Sequence, residues 1–137
     1  MKILYVCQAN VGRSQMAEAL HKKIYPEDIV SSAGTNVNGH EEKIIGRLEK
    51  AIHVIDAMKE EKIDLRYYKR KQLTEKMVED AEKIIMITDP KNWPHFLVGN
   101  SKLEYWNILD PKGRDYQFHI KIKNEIKTKI ERLLDYA

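Results

Sequence analysis

The stretch Ile3-Leu4-Tyr5-Val6-Cys7-Gln8-Ala9-Asn10-Val11-Gly12-Arg13-Ser14 decides how this chain is read. Its four apolar residues, Ile3 to Val6, have the length and composition of a buried strand. Beyond Ser14, Met16, Ala17, Ala19, Leu20 and Ile24 recur at helical spacing. Cys7 therefore stands at the carboxyl end of a strand, in a tight loop that feeds a helix N-terminus. An α/β protein builds anion sites at such places. Successive backbone N–H groups turn toward one centre there and hold phosphate-like oxyanions. The same field favours the thiolate form of a cysteine, which is its nucleophilic form.

Each residue type in this loop has a task if the anion is a phosphoryl group. Cys7 attacks phosphorus and forms a cysteinyl-phosphate. Arg13 presents a planar fork that matches two phosphate oxygens. The backbone of Gln8, Ala9, Asn10, Val11 and Gly12 supplies the amides, and Gly12 brings no side chain to block close approach. Asn10 tolerates positive φ and can lock the loop through its amide group. Ser14 can donate to the sulfur, stabilising it as attacker and as leaving group.

The rest of the chain sets the frame. Its 137 residues suit one domain with a proper core. No apolar run is long enough to cross a membrane, and no signal-peptide pattern precedes the first strand. A single cysteine allows no internal disulfide, which points to the cytoplasm. The 24 basic and 21 acidic residues are mixed throughout and leave a net charge of +3, an ordinary surface that does not call for nucleic acid.

The pattern predicts strands at 2–7, 28–33, 83–88 and 103–106. Helices are expected at 14–25, within 41–61, from Thr74 as N-cap to Ala81, and at 115–136. Ile44, Leu48, Ile52, Ile55 and Met58 form one face of the second helix, and Ile122, Ile126, Ile130, Leu133 and Leu134 one face of the last. Strands alternating with helices imply a parallel sheet covered on both faces.

On these residues the chain resembles the low-molecular-weight protein-tyrosine-phosphatase family, which also contains the thioredoxin-coupled arsenate reductases. Cys7, Asn10, Arg13 and Ser14 match its phosphate-binding loop, and Ser32-Ala33-Gly34-Thr35 its segment after the second strand. Ile63-Asp64-Leu65 and Lys71-Gln72-Leu73-Thr74 are similar to its central segment, and Trp106 with Asp110-Pro111 to its late acid-bearing loop. The resemblance implies a single three-layer α/β domain over 1–137, with a four-stranded parallel sheet in the order 2-1-3-4. It makes Asp110 the general acid. Asp89, in the other Asp-Pro pair, then helps to order the rim of the site. There are departures too. Gly12 stands where the phosphatases commonly carry a second loop cysteine, and Lys112-Gly113-Arg114 replaces a pair of tyrosines. The stretch from Asn36 to Lys50 is longer than usual and lacks the expected proline.

Other features carry two readings each. Trp106 is either a stacking wall at the pocket mouth or a hydrophobic anchor. Ser32 either braces Asn10 or simply forms the turn after a strand. The basic, aromatic run Arg66-Tyr67-Tyr68-Lys69-Arg70-Lys71 either steers an anionic partner or is a solvated loop. His21, His40, His53, His95 and His119 show no ligand spacing, so no metal and no cofactor is expected.

Three functions compete. The leading one is phosphomonoester hydrolysis, with phosphotyrosine preferred because Val11 offers an apolar surface and no hydroxyl. By resemblance, the arginine-phosphate-directed members carry a threonine at that place. The second is arsenate reduction. The thioredoxin-coupled reductases have two further redox cysteines, and Met86-Ile87-Thr88-Asp89 has none, so an external small thiol would be needed. The third is a non-catalytic phosphoresidue-binding module. The expected partner is a phosphorylated protein or a small aryl phosphate, with no nucleic acid and no membrane, on a monomer or weak dimer.

Overall fold

The apolar run becomes the centre of the sheet. In the computed structural model, which describes residues 1–37, 39 and 44–133, β1 spans Lys2–Cys7 and is buried from Ile3 onward. Its side chains alternate between two cores. Ile3, Tyr5 and Cys7 enter one apolar cluster, Leu4 and Val6 the other. A strand covered on both faces needs a continuous apolar run, and 3–6 supply it.

β2 (Ile29–Gly34) and β3 (Lys83–Met86) flank β1, and β4 (Leu103–Tyr105) lies outside β3. The order is β2-β1-β3-β4, with every pairing parallel. On one face lie α1 (Arg13–Ile24), α2 (Ile52–Lys59) and α4 (Tyr116–Leu133). The shorter α3 (Glu75–Asp80) lies on the other. Cys7 pairs in register with Gly34, and Val6 with Met86. The carboxyl ends of three strands therefore meet along one edge, where the loops leave.

The second helix differs most from expectation. Residues 41–43 lie outside the described residues. From Ile45 the chain makes two short 3-10 turns, Ile45–Arg47 and Glu49–Ala51, and α2 begins only at Ile52. The cause is a competing backbone partner. The amides of Ile45 and Gly46 donate to the carbonyls of Tyr68 and Arg66, both at 2.9 Å, instead of to a preceding helical turn. Ile55 and Met58 are buried as the pattern requires, whereas Ile52 is exposed. Thr74 caps α3 as expected, its hydroxyl accepting from the Met77 amide at 3.3 Å. Ile122, Ile126 and Ile130 of α4 face the core. Leu134 and the expected stretch to 136 fall outside the described residues.

Candidate active site

The loop from Cys7 to Arg13 is held from outside, carbonyl by carbonyl. The Cys7 and Gln8 carbonyls accept from the amides of Thr35 and Asn36, both at 2.9 Å. The Ala9 carbonyl accepts from Arg70 Nε at 3.1 Å. In a trans peptide the N–H points opposite to the C=O of the same unit. Carbonyls drawn outward therefore turn the next three amides, of Gln8, Ala9 and Asn10, toward the concave side. Among the described residues, none of the amides from Gln8 to Arg13 donates to a protein acceptor. Gly12 leads into α1, adding the positive end of a helix to this concavity.

Asn10 is the fastener. It sits at φ 55°, fully buried, and every hydrogen-bonding position of its amide group is used. Nδ2 donates to Ser14 Oγ at 2.7 Å and to Ser32 Oγ at 3.0 Å. Oδ1 accepts from Gln15 Nε2 and from the Lys71 amide, both at 2.9 Å. Because Ser14 Oγ already accepts from Asn10, its proton is free to point at Cys7 Sγ, 2.9 Å away. Ser32, in turn, donates to the buried carboxylate of Glu18 at 2.5 Å, and Lys22 meets the other oxygen of Glu18 at 2.6 Å. Ser32 thus braces Asn10 rather than only turning the chain. Gln15 and Glu18 escaped the sequence reading. Their positions one and four residues after Ser14 were the available signal.

Arg13 is buried, and its Nη1 donates to the carbonyls of Ile87 and Ile108, both at 2.8 Å. These two contacts tie the loops after β3 and β4 to the cysteine loop. They also fix the plane of the guanidinium. Asp110 Oδ2 lies 3.7 Å from Arg13 Nη2, and Asp110 Oδ1 accepts from the Lys112 amide. The carboxylate is half exposed and borders the concavity. Asp89 is placed differently. Its carboxylate caps the short turn Pro90–Asn92 by accepting from the Lys91 amide at 3.0 Å.

Two expectations change. Trp106 does not form a stacking wall at the mouth of the cysteine loop. Its ring is buried 5.7 Å from that of Tyr5, and its indole N–H donates to Glu104 at 2.6 Å. A tryptophan in this surrounding is a core anchor, because both its ring and its N–H are already satisfied. The exposed apolar residue beside Asp110 is Leu109, while Val11 is half-buried against the core. The second change concerns glycine. A Cβ on Gly12 would meet only Val54, at 3.7 Å. The glycine that must lack one is Gly34, where a Cβ would come within 2.6 Å of the Gln8 carbonyl oxygen. Among the described residues, no group of three His, Cys, Asp or Glu side chains could hold a metal ion.

This constellation can be compared with known proteins. The family model of low molecular weight phosphotyrosine protein phosphatases matches residues 2–136. The chain belongs to that family. An arsenate reductase of Staphylococcus aureus (strain N315) is 30% identical over 132 residues, covering 95% of this chain and 93% of the relative. Arsenate reductase 2 of Staphylococcus haemolyticus is 30% identical over 131 residues, covering 94% and 92%. Among solved structures, the YwlE arginine phosphatase from Geobacillus stearothermophilus superposes with a TM-score of 0.74 at 26% identity, covering 98% of this chain and 91% of that one. Wzb of Vibrio vulnificus, in complex with benzylphosphonate, superposes with a TM-score of 0.79 at 21% identity, covering 99% and 98%. The relatives therefore include proteins named as phosphatases and as arsenate reductases on one fold. Among the described residues, no helix is long and apolar enough to cross a membrane.

Proposed function

We propose that this phosphatase-family chain hydrolyses phosphomonoesters through a cysteinyl-phosphate, with aryl esters such as phosphotyrosine preferred. The observation that carries this reading is Arg13. It is buried, held by two carbonyls, and set between the cysteine loop and Asp110. Such a guanidinium is prepaid for an equatorial pair of phosphoryl oxygens and needs no rearrangement when charge develops. Cys7 Sγ attacks phosphorus as the bond to the leaving oxygen breaks, and the Asp110 carboxyl gives that oxygen a proton. In the second step the Asp110 carboxylate takes a proton from water. The water oxygen bonds to phosphorus, the S–P bond breaks, and the Ser14 hydroxyl receives the returning thiolate.

The apolar side chains of Val11 and Leu109 favour an aromatic ester over a guanidinium, because they offer packing but no hydrogen bond. The test uses phosphopeptides that differ only in the modified residue, with the variants Asp110→Asn and Asp89→Asn. Phosphotyrosine should be cleaved with the highest kcat/KM. Asp110→Asn should lower kcat by about two to four powers of ten, less for good leaving groups. Greater damage from Asp89→Asn would reverse the assignment of the acid, and equal turnover of phosphoarginine would overturn the aryl preference.

A second reading rests on the names of the staphylococcal relatives. Arsenate has the shape and charge of phosphate, and Cys7 sulfur can bond to its arsenic as one As–O bond breaks and that oxygen leaves as water. Since Cys7 is the only cysteine, an external thiol must then attack Cys7 sulfur. The S–As electron pair leaves with arsenic as arsenite, and a second thiol reduces the mixed disulfide. Arsenite release with a small thiol, and no hydrolysis of any phosphopeptide, would favour this reading.

A further inference from the structure

The segment 66–71 is built into the phosphate loop, not merely placed beside it. Arg70 Nε donates to the Ala9 carbonyl, the Lys71 amide donates to Asn10 Oδ1, and the Lys69 carbonyl accepts from Gln15 Nε2. The segment continues along the edge of β2, where the Gly34 amide donates to the Lys71 carbonyl at 2.8 Å and the Leu73 amide to the Gly34 carbonyl at 2.9 Å. Its other edge pairs with Ile44 and Ile45 through Lys69 and Tyr68. A strap fastened on both edges presents its outward side chains in fixed places.

Those side chains are not equivalent electrically. Arg66 is clamped by the Asp64 carboxylate at 2.9–3.2 Å, and Lys71 faces Glu18 at 3.7 Å. Lys69 on the strap and Arg47 on the adjoining turn are exposed and have no ion pair among the described residues. Glu49 is the exposed acid on that same turn segment. Tyr67, next to Arg66 on the strap, is 70% exposed, and the Arg66 guanidinium lies 5.4 Å from its ring centre. Unpaired cations on a strap hydrogen-bonded to an anion site, and on the turn paired with that strap, attract further negative charge.

From this we infer that Lys69 and Arg47 form a docking wall that selects phosphorylated peptides with Asp or Glu flanking the phosphoresidue. The inference rests on the phosphatase reading for its central phosphate and adds the class of peptide accepted. A nucleic acid is the less suitable partner, since such sites neutralise many successive phosphates and this wall has two unpaired cations.

The experiment compares two phosphotyrosine peptides, one flanked by Asp and Glu, the other by Lys and Arg, with para-nitrophenyl phosphate as a small control. Wild type, Lys69→Glu, Arg47→Glu and the double variant are measured at low and high salt. The acidic peptide should exceed the basic one in kcat/KM by about tenfold at low salt, shrinking as salt screens the wall. The double variant should reverse the order while leaving para-nitrophenyl phosphate turnover unchanged. Equal kcat/KM for the two peptides in the wild type, or a preference that survives the double variant, overturns the inference. Single-stranded RNA that competes as strongly as the acidic peptide overturns it too. Loss of para-nitrophenyl phosphate turnover in the wild type would defeat the phosphatase reading instead. In that case calorimetric binding of the two peptides still decides the wall by the same ratio.

Discussion

At the scale of single residues, the site depends on which positions can carry a Cβ. Gly34 packs its α-carbon against the Gln8 carbonyl, and the atoms crowding a methyl there are mostly backbone. Backbone cannot swing aside as a side-chain tip can. Gly34→Ala should therefore destabilise the fold by about 1–3 kcal/mol and spread the loop that holds the amides. Gly12, at φ −102° and ψ −90°, has room for a Cβ beside Val54. Gly12→Ala should cost clearly less stability than Gly34→Ala, because its Cβ meets no backbone atom. Thermal unfolding of both variants by circular dichroism checks the pair. A Gly12→Ala protein less stable than Gly34→Ala would show that the crowding has been misassigned.

At the scale of elements, β1 and its loop were legible because period, length and residue chemistry agreed. The apolar run is buried on both faces, and Cys7, Asn10 and Ser14 meet as their spacing suggested. The first half of the expected second helix was not legible, because Ile44, Leu48 and Ile52 fit a helical stripe while the backbone of Ile45 and Gly46 is claimed by the strap at 66–68. Periodicity reports side chains and is blind to a remote carbonyl. Trp106 was ambiguous for a similar reason, since its partner Tyr5 is far away in sequence. Charge between elements was equally hidden. Lys123 on α4 is only 3% exposed and meets Glu61 at 2.9 Å and Glu60 at 3.4 Å, past the end of α2. Lys127 donates to Glu61 at 2.8 Å and, with Lys123, holds the Glu61 carboxyl below its usual range against the opposing effect of burial. A carboxyl that binds protons less readily when folded adds stability above its unfolded pKa and loses it as pH falls through the folded value. Glu61→Gln should cost about 1–2 kcal/mol at neutral pH, a partly screened version of a broken buried pair. The gap to wild type should narrow below about pH 4.5. Urea melts across that range test it, and a gap that widens in acid would contradict the sign.

At the scale of the whole molecule, the site is the point where separate parts of the chain are joined. Arg13 at the start of α1 bonds to carbonyls after β3 and β4, and the strap binds the loop from the side of β2. An anion seated on the loop amides would neutralise a buried guanidinium and a set of unpaired N–H groups that the unfolded chain does not gather. It binds the folded state alone, so it must stabilise the fold by mass action. At about a hundredfold excess over Kd the gain is about 2.7 kcal/mol, roughly a 10 °C rise in melting temperature for a chain of this size. The rise should follow the logarithm of phosphate concentration and should appear with arsenate as well. Chloride at equal ionic strength should not produce it, because screening alone does not fill the amides. Phosphate should also slow inactivation by iodoacetate over the same concentration range, since alkylation requires access to Cys7. Melting curves and alkylation rates measured on one phosphate series decide the matter together. Protection of the thiol without a thermal shift would mean that the anion meets Cys7 but not the joined loops, and Arg13 would then not be the centre on which the fold and the site depend.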